Sequence, residues 1–220
     1  MNLKMNFFNG QTFKNYFSSR NRSLTKDQQL ILELYQEKIS IESFFELEKL
    51  NDFNLKSLEI GFGTGEKLLQ SAISYPDNLF IGIEYYKKGI AQLLLNIEKH
   101  KLKNIRLFYG DAFDYLKLLK TNFLDEVLIM FPDPWPKKRH QKRRLVNGDF
   151  LKKIFKILKK NGKFIFSTDN ISYFENVKTI LKNTPKIKIK IIKRVITIKT
   201  KYYLKAERKR NKINSLMFFN

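Results

Sequence analysis

The chain has no cysteine among its 220 residues and only two histidines, His100 and His140. The first absence excludes disulfides, thiolate-held zinc, iron–sulfur clusters and thiol catalysis. The second leaves too few imidazoles for a histidine-rich metal site, so no metal is expected. No apolar run approaches the roughly 18 residues of a membrane span. The stretch MNLKMNFFNGQTFKNYF has no signal-peptide apolar region with a small-residue cleavage site. A cytoplasmic location away from membranes is the expectation. Acidic residues are also scarce, 21 Asp and Glu against 43 Lys and Arg, for a net charge of +22. That imbalance exceeds what solubility needs and points to a polyanionic partner, nucleic acid ahead of an anionic membrane surface.

What is present suits one core: 43% of residues are hydrophobic, 20 of them Phe, at a length that fits one domain. Residues 1–25 are polar, aromatic and basic with little periodicity, and read as a basic arm, mobile at its start, before a single domain over 26–220. "LTKDQQLILELYQEKI" has a helical period after a Thr25 cap, with Leu30, Leu32, Leu34 and Ile39 expected to pack. Beyond it, apolar runs "LKSLEIGF", "NLFIGIEY", "IRLFYG", "EVLIMF" and "GKFIFST" alternate with helix-like "GEKLLQSAIS", "YYKKGIAQLLLNIEKH", "DAFDYLKLLK" and "FLKKIFKILKKNG". Short strands alternating with longer helices give βαβ units, hence a doubly wound α/β domain with a mostly parallel sheet and helices on both faces. In the tail, "KIKIKIIKRVITIKTKYYL" alternates with period two, and "INSLMFF" suits a final, antiparallel strand.

In such sheets ligands bind beyond the carboxyl ends of the strands. The first strand runs into "LEIGFGTGEK", where Gly61, Gly63 and Gly65 form a turn that lets backbone approach a ligand. A dinucleotide fingerprint needs a further glycine where this chain has Glu66. Glu59 lies in the strand itself, where an unpartnered carboxylate is costly, so a cationic ligand is the expected partner. Glu84 ends the second strand, placed to take a ribose diol. Asp111 ends the third, followed by Ala112, and suits either an adenine edge or a helix cap.

The segment 131–146, "FPDPWPKKRHQKRRLV", places the chain's only tryptophan, Trp135, and Asp133 among Pro132, Pro134 and Pro136. Each proline fixes its own φ and pushes the preceding residue out of the helical region, so a stiff, extended loop is expected to aim a side chain. Lys137, Lys138, Arg139, Lys142, Arg143 and Arg144 follow, a set suited to gripping phosphates. Trp135 could equally stack on a base or pin the loop.

"LEIGFGTGE", "GIE" and "GDA" resemble the S-adenosylmethionine-binding elements of class I methyltransferases. "DPWPKKRHQKRRLV" closely resembles the signature of the bacterial tRNA (guanine-N7)-methyltransferases, and "LTKDQQ" and "FSTDN…YFE" fit the same family, over roughly residues 20 to 218. The resemblance implies a Rossmann-like enzyme that moves a methyl group from S-adenosylmethionine to N7 of a guanine in tRNA, at position 46 of the variable loop. It places Glu59, Gly61, Gly63, Gly65, Glu84, Asp111 and Ala112 at the cofactor and Asp133 at the catalytic position. Lys137, Arg139, Lys142, Arg143, Arg144, Asp169, Thr200, Lys201, Tyr202 and Tyr203 would meet the tRNA. The chain departs from the family at Tyr203, where a glutamate is usual; Asp133 with Asp169 can suffice, or Glu207 takes the role. A monomer or homodimer is expected. The competing readings are an idle RNA-binding protein on this fold, a methyltransferase of another RNA guanine or of a small molecule, and a nicotinamide dehydrogenase, the last disfavoured by Glu66.

Overall fold

The computed structural model of the chain describes residues 23–39, 50, 52–184, 188–192 and 200–220. Residues 1–22 of the expected 1–25 arm and the continuation of the Lys/β-branched stretch over 193–199 lie outside the described residues. Seven strands form one sheet: β1 (Lys56–Ile60), β2 (Leu79–Glu84), β3 (Ile105–Tyr109), β4 (Leu124–Met130), β5 (Leu158–Thr168), β6 (Lys188–Ile192) and β7 (Asn214–Phe219). Their order is β3-β2-β1-β4-β5-β7-β6. β1 to β5 are mutually parallel, and β7 runs antiparallel to both of its neighbours, β5 and β6. The expected doubly wound, mostly parallel sheet with a late antiparallel strand is the observed one.

Seven α-helices accompany it among the described residues: α1 (Lys26–Leu34), α2 (Glu66–Ser74), α3 (Lys87–His100), α4 (Ala112–Leu118), α5 (Gly148–Ile157), α6 (Ile171–Lys182) and α7 (Lys201–Arg208). One sheet face, with Leu58, Ile81, Phe108, Val127 and Phe166, packs against Tyr115 of α4, Phe150 and Ile154 of α5 and Val177 of α6. On the other face, Phe80, Ile105 and Leu107 pack against Ile31 of α1, Leu68 of α2 and Leu94 of α3. α5 shows the pattern at work: Phe150, Leu151, Ile154 and Ile157 recur at helical spacing and all are buried, each contributing about 1.5–3 kcal/mol before entropy is counted.

Two local expectations are corrected. Thr25 and Gln28 do form a capping box on α1, but the buried face is Gln28, Ile31 and Leu32, while Leu30 and Leu34 are 64% and 72% exposed. Those leucines fall two positions either side of Leu32, about 200° around the helix axis at 3.6 residues per turn. The helix-like run ending in "KILKKNG" is also shorter than its pattern suggested. α5 stops at Ile157 because β5 begins at Leu158, which pairs with Leu124 of β4; the register then shifts before Lys163, where Asn161 lies at φ 66°.

The order places β1 between β2 and β4, so the chain leaves β1 toward one edge and later returns to its other side. The crevice at the carboxyl ends of β1, β2 and β4 is the ligand position this topology creates.

Candidate active site

The glycine turn sits in that crevice. Gly61, Gly63 and Gly65 have φ of 75°, 62° and 75°, a region L side chains rarely adopt. Gly65 is the residue before the first turn of α2. Gly89, which the sequence did not single out, packs α3 onto the same turn so closely that a Cβ would collide with the Gly63 carbonyl oxygen.

Glu84 fastens the turn from the next strand. Its carboxylate accepts the N–H of Gly63 at 2.7 Å, of Tyr85 at 2.7 Å and of Tyr86 at 3.0 Å. Burial raises its pKa, the three backbone donors pull it back, and the charge of Asp133 pushes it up again. Glu59 differs in kind. It is 4% exposed in β1, no hydrogen bond from the described residues reaches its carboxyl group, and burial raises its pKa to about 8 against the offsetting charge of Lys67. A buried carboxyl that no hydrogen bond from the described residues satisfies is costly, and a cation beside it would lower that cost. Asp111 caps α4: its side chain accepts from the Phe113 N–H at 2.7 Å. Ala112 is buried beside it.

Beyond β4, Phe131 donates its N–H to the Ser167 carbonyl of β5. The Asp133 loop is not uniformly extended as expected: Phe131 and Trp135, each preceding a proline, lie at φ 52° and 42°. Non-glycine residues in this region cost on the order of 1–3 kcal/mol each and persist only where the surroundings hold them. Asp133 is half-buried, and its charge is felt by both Glu84 and Tyr173. Trp135 is pinned: the Arg143 guanidinium lies 5.0 Å over its ring and His140 meets it edge-on at 5.9 Å. His140 is pushed below its ordinary pKa by lost hydration and by Arg143, Arg139, Lys137 and Lys142.

The basic residues divide. Lys137, Lys138, Arg139 and Lys142 are exposed on and before a 3-10 turn, Lys138–Arg143. Arg144 is not, and its expected phosphate role is corrected: it is 3% exposed. Its Nε donates to the Pro134 carbonyl at 3.0 Å, and its Nη1 and Nη2 donate to the carbonyl and Oγ of Ser172 at 3.3 and 3.2 Å. A guanidinium so enclosed faces the protein's own acceptors and not solvent.

Asp169 follows β5, and its Oδ2 accepts from Asn211 Nδ2 at 2.9 Å. Thr200 is buried and caps α7, accepting the Tyr203 N–H at 3.2 Å. Lys201 reaches back to Glu66 at 3.7 Å, and Thr64 donates to that same Glu66 oxygen at 2.6 Å, so the start of α7 borders the glycine turn. Tyr202 lies in α7 with its side chain outside the described residues, Tyr203 is half-buried, and Glu207 is exposed one helical turn on. The geometry thus gathers Glu59, the glycine turn, Glu84, Asp133 and the start of α7 at one end of the sheet. Asn211 and Ser172 were missed, and no local pattern marks them; Tyr173 lies in the "YFE" that fits the family, but the sequence assigned it no role.

A family model described as "Putative methyltransferase" matches residues 54–216. A tRNA (guanine-N(7)-)-methyltransferase of Wolbachia pipientis wMel is 41% identical over 167 residues, 76% of this chain and 74% of that protein. One of Buchnera aphidicola is 37% identical over 216 residues, 92% and 89% of the two chains. One of Nitrosococcus oceani is 48% identical over 125 residues, and there the match spans 56% of this chain and about half, 53%, of that protein. Among solved structures, the 16S rRNA methyltransferase KamB superposes with TM-score 0.59 at 13% identity, over 80% of this chain and 91% of that one, which shows the fold alone. With its glycine turn, strand-end acids and matched length, the chain belongs to the tRNA (guanine-N(7)-)-methyltransferase family.

Proposed function

We propose that the chain transfers a methyl group from S-adenosylmethionine to N7 of a guanine in tRNA, with the variable-loop guanine at tRNA position 46 as target. The observation that carries this is the buried carboxyl of Glu59 at the switch point, which receives no hydrogen bond from the described residues, beside an aspartate-bearing loop that continues into exposed cations. The cofactor's ammonium and sulfonium fit an acid-lined crevice that a pyrophosphate would not. When bound, it supplies an electrophilic methyl group.

The chain's own residues then have limited work. Guanine N7 carries an in-plane lone pair and no proton, so its attack needs no general base, and holding it in line is most of the task. Asp133, and Asp169 steadied by Asn211, accept from guanine N1–H and N2–H₂, which selects guanine over adenine and offsets the positive charge that N7 methylation creates. Glu59 takes the cofactor's cationic end, while Glu84, already rigid against the turn, takes its ribose. Lys137, Lys138, Arg139 and Lys142 grip phosphates, with Lys201 and Tyr203 on the opposite rim. The protein acts in the cytoplasm as a monomer or homodimer, without a metal.

Incubation with labelled S-adenosylmethionine and bulk tRNA, followed by nucleoside digestion, tests the reading. Label in 7-methylguanosine is expected; label in another nucleoside, or none, sinks it.

A further inference from the structure

Arg143 and Arg144 are neighbours in sequence with opposite fates. Arg143 lies over Trp135, while Arg144 turns inward, its guanidinium stacked 4.8 Å from the Tyr173 ring centroid. The Tyr173 hydroxyl in turn accepts the Val146 N–H at 2.8 Å, so the chain just past Arg144 is tied to the same ring.

The acceptors of Arg144 belong to two segments. Pro134 is the residue after Asp133, and Ser172 lies three residues after Asp169, in the first turn of α6. One planar guanidinium therefore bridges the loop that bears Asp133 and the first turn of the helix that follows Asp169. The span matters because the Asp133 loop is not self-supporting: prolines deprive it of backbone donors, and Phe131 and Trp135 sit in the left-handed region. The Pro134 carbonyl is a natural handle beside Asp133. A fork of fixed donors sets a spacing in a way that a lysine ammonium, a single mobile point charge, does not.

We propose that Arg144 is a positioning residue that sets the distance between the Asp133 loop and the Asp169 segment, and so the alignment of guanine N7, without touching tRNA or cofactor. The inference rests on the function proposed above for its link to catalysis. The mechanical part, that Arg144 holds the Asp133 loop, stands independently of any substrate.

The chain's single tryptophan lies next to Pro134 and reports on the loop directly. In Arg144→Lys and in Ser172→Ala, which removes one exposed acceptor, Trp135 emission should move to longer wavelength and acrylamide quenching should rise in the free protein. With tRNA, kcat should fall about 10- to 100-fold for Arg144→Lys, the scale of a misplacement near 1 Å, and several-fold for Ser172→Ala. The tRNA KM, the cofactor Kd and the slope of log affinity against log salt should stay at wild-type values.

Should Arg144→Lys fold poorly, Ser172→Ala decides alone, and unchanged emission with unchanged kcat would overturn the proposal. So would a lower melting temperature with kcat per folded molecule unchanged. A smaller salt slope with raised KM and unchanged kcat would return Arg144 to the phosphates and also overturn it. If wild-type protein makes no 7-methylguanosine, the functional reading fails instead, and the fluorescence arm still tests the loop.

Discussion

Glu84 at the end of β2 accepts the backbone N–H of Gly63 at 2.7 Å, closing the turn that follows β1 with a carboxylate from 21 residues away. The acid proposed for the ribose is therefore also the fastener of the glycine turn. Glu84→Ala should weaken cofactor binding at least 10- to 100-fold, through a lost charge-assisted bond of about 1.5–3 kcal/mol. It should also lower the melting temperature, since the N–H groups of Gly63, Tyr85 and Tyr86 lose their acceptor. Calorimetric titration with thermal melts checks both, and an unchanged Kd would remove Glu84 from the cofactor site.

Asp133→Ala should abolish methyl transfer while leaving cofactor affinity within about threefold of wild type, because the acids proposed for the cofactor, Glu59 and Glu84, lie on β1 and β2. Removing the charge also relieves the upward push on the Glu84 pKa, which favours rather than hinders the cofactor. A collapse of cofactor binding in this variant would show that the roles are wrongly assigned.

Glu59, if it meets the cofactor as proposed, should make cofactor binding pH-linked. Its carboxyl holds a proton up to about pH 8 in the free protein, against 4.5 for an ordinary glutamate. The folded state thus keeps a proton the unfolded chain has lost between those values. Stability is full below the lower value and declines as pH rises toward the upper one. A cationic ligand requires the ionised form, so binding near pH 6.5 should release about one proton, read from titrations in buffers of different ionisation enthalpy. Glu59→Gln should bind weakly, release none, and lose less stability between pH 5 and 8. Equal proton release in both proteins would count against this acid.

Removing charge at Lys137, Arg139 and Lys142 together should weaken all tRNAs about equally and reduce the slope of log affinity against log salt by about 2 to 3, near 0.7–0.9 per phosphate contact. A flat plot in the wild type would make the exposed run a solvated face.

At the far rim, Asp169→Ala should cost roughly 10- to 150-fold in kcat/KM, the loss of one charge-assisted bond, and Asn211→Ala should cost less, by freeing a carboxylate it now holds. Glu207→Ala should change kcat/KM by less than about threefold, since that side chain is exposed on α7. The reverse ranking would move the acid role to the tail.

The periodicity of short apolar runs and longer helical ones determined the doubly wound fold, because a two-faced sheet must be covered on both sides by helices of matching amphipathy. The same logic exposed Glu59: a carboxylate in a run that must be buried needs a reason, legible without coordinates. Residue type along the chain could not say which side of the chain each charge would face. Arg143 and Arg144 look alike in sequence, yet one covers Trp135 and the other disappears beneath the loop, because Ser172 and Tyr173 of α6 arrive from 28 and 29 positions on. Glu84 and Gly63, and Asp169 and Asn211, are likewise joined only where β2 lies beside β1 and β7 beside β5. Local pattern specifies elements because their hydrogen bonds and periods are local. The partner of a buried charge is set by which strands become neighbours, and that was decided by the tertiary structure alone.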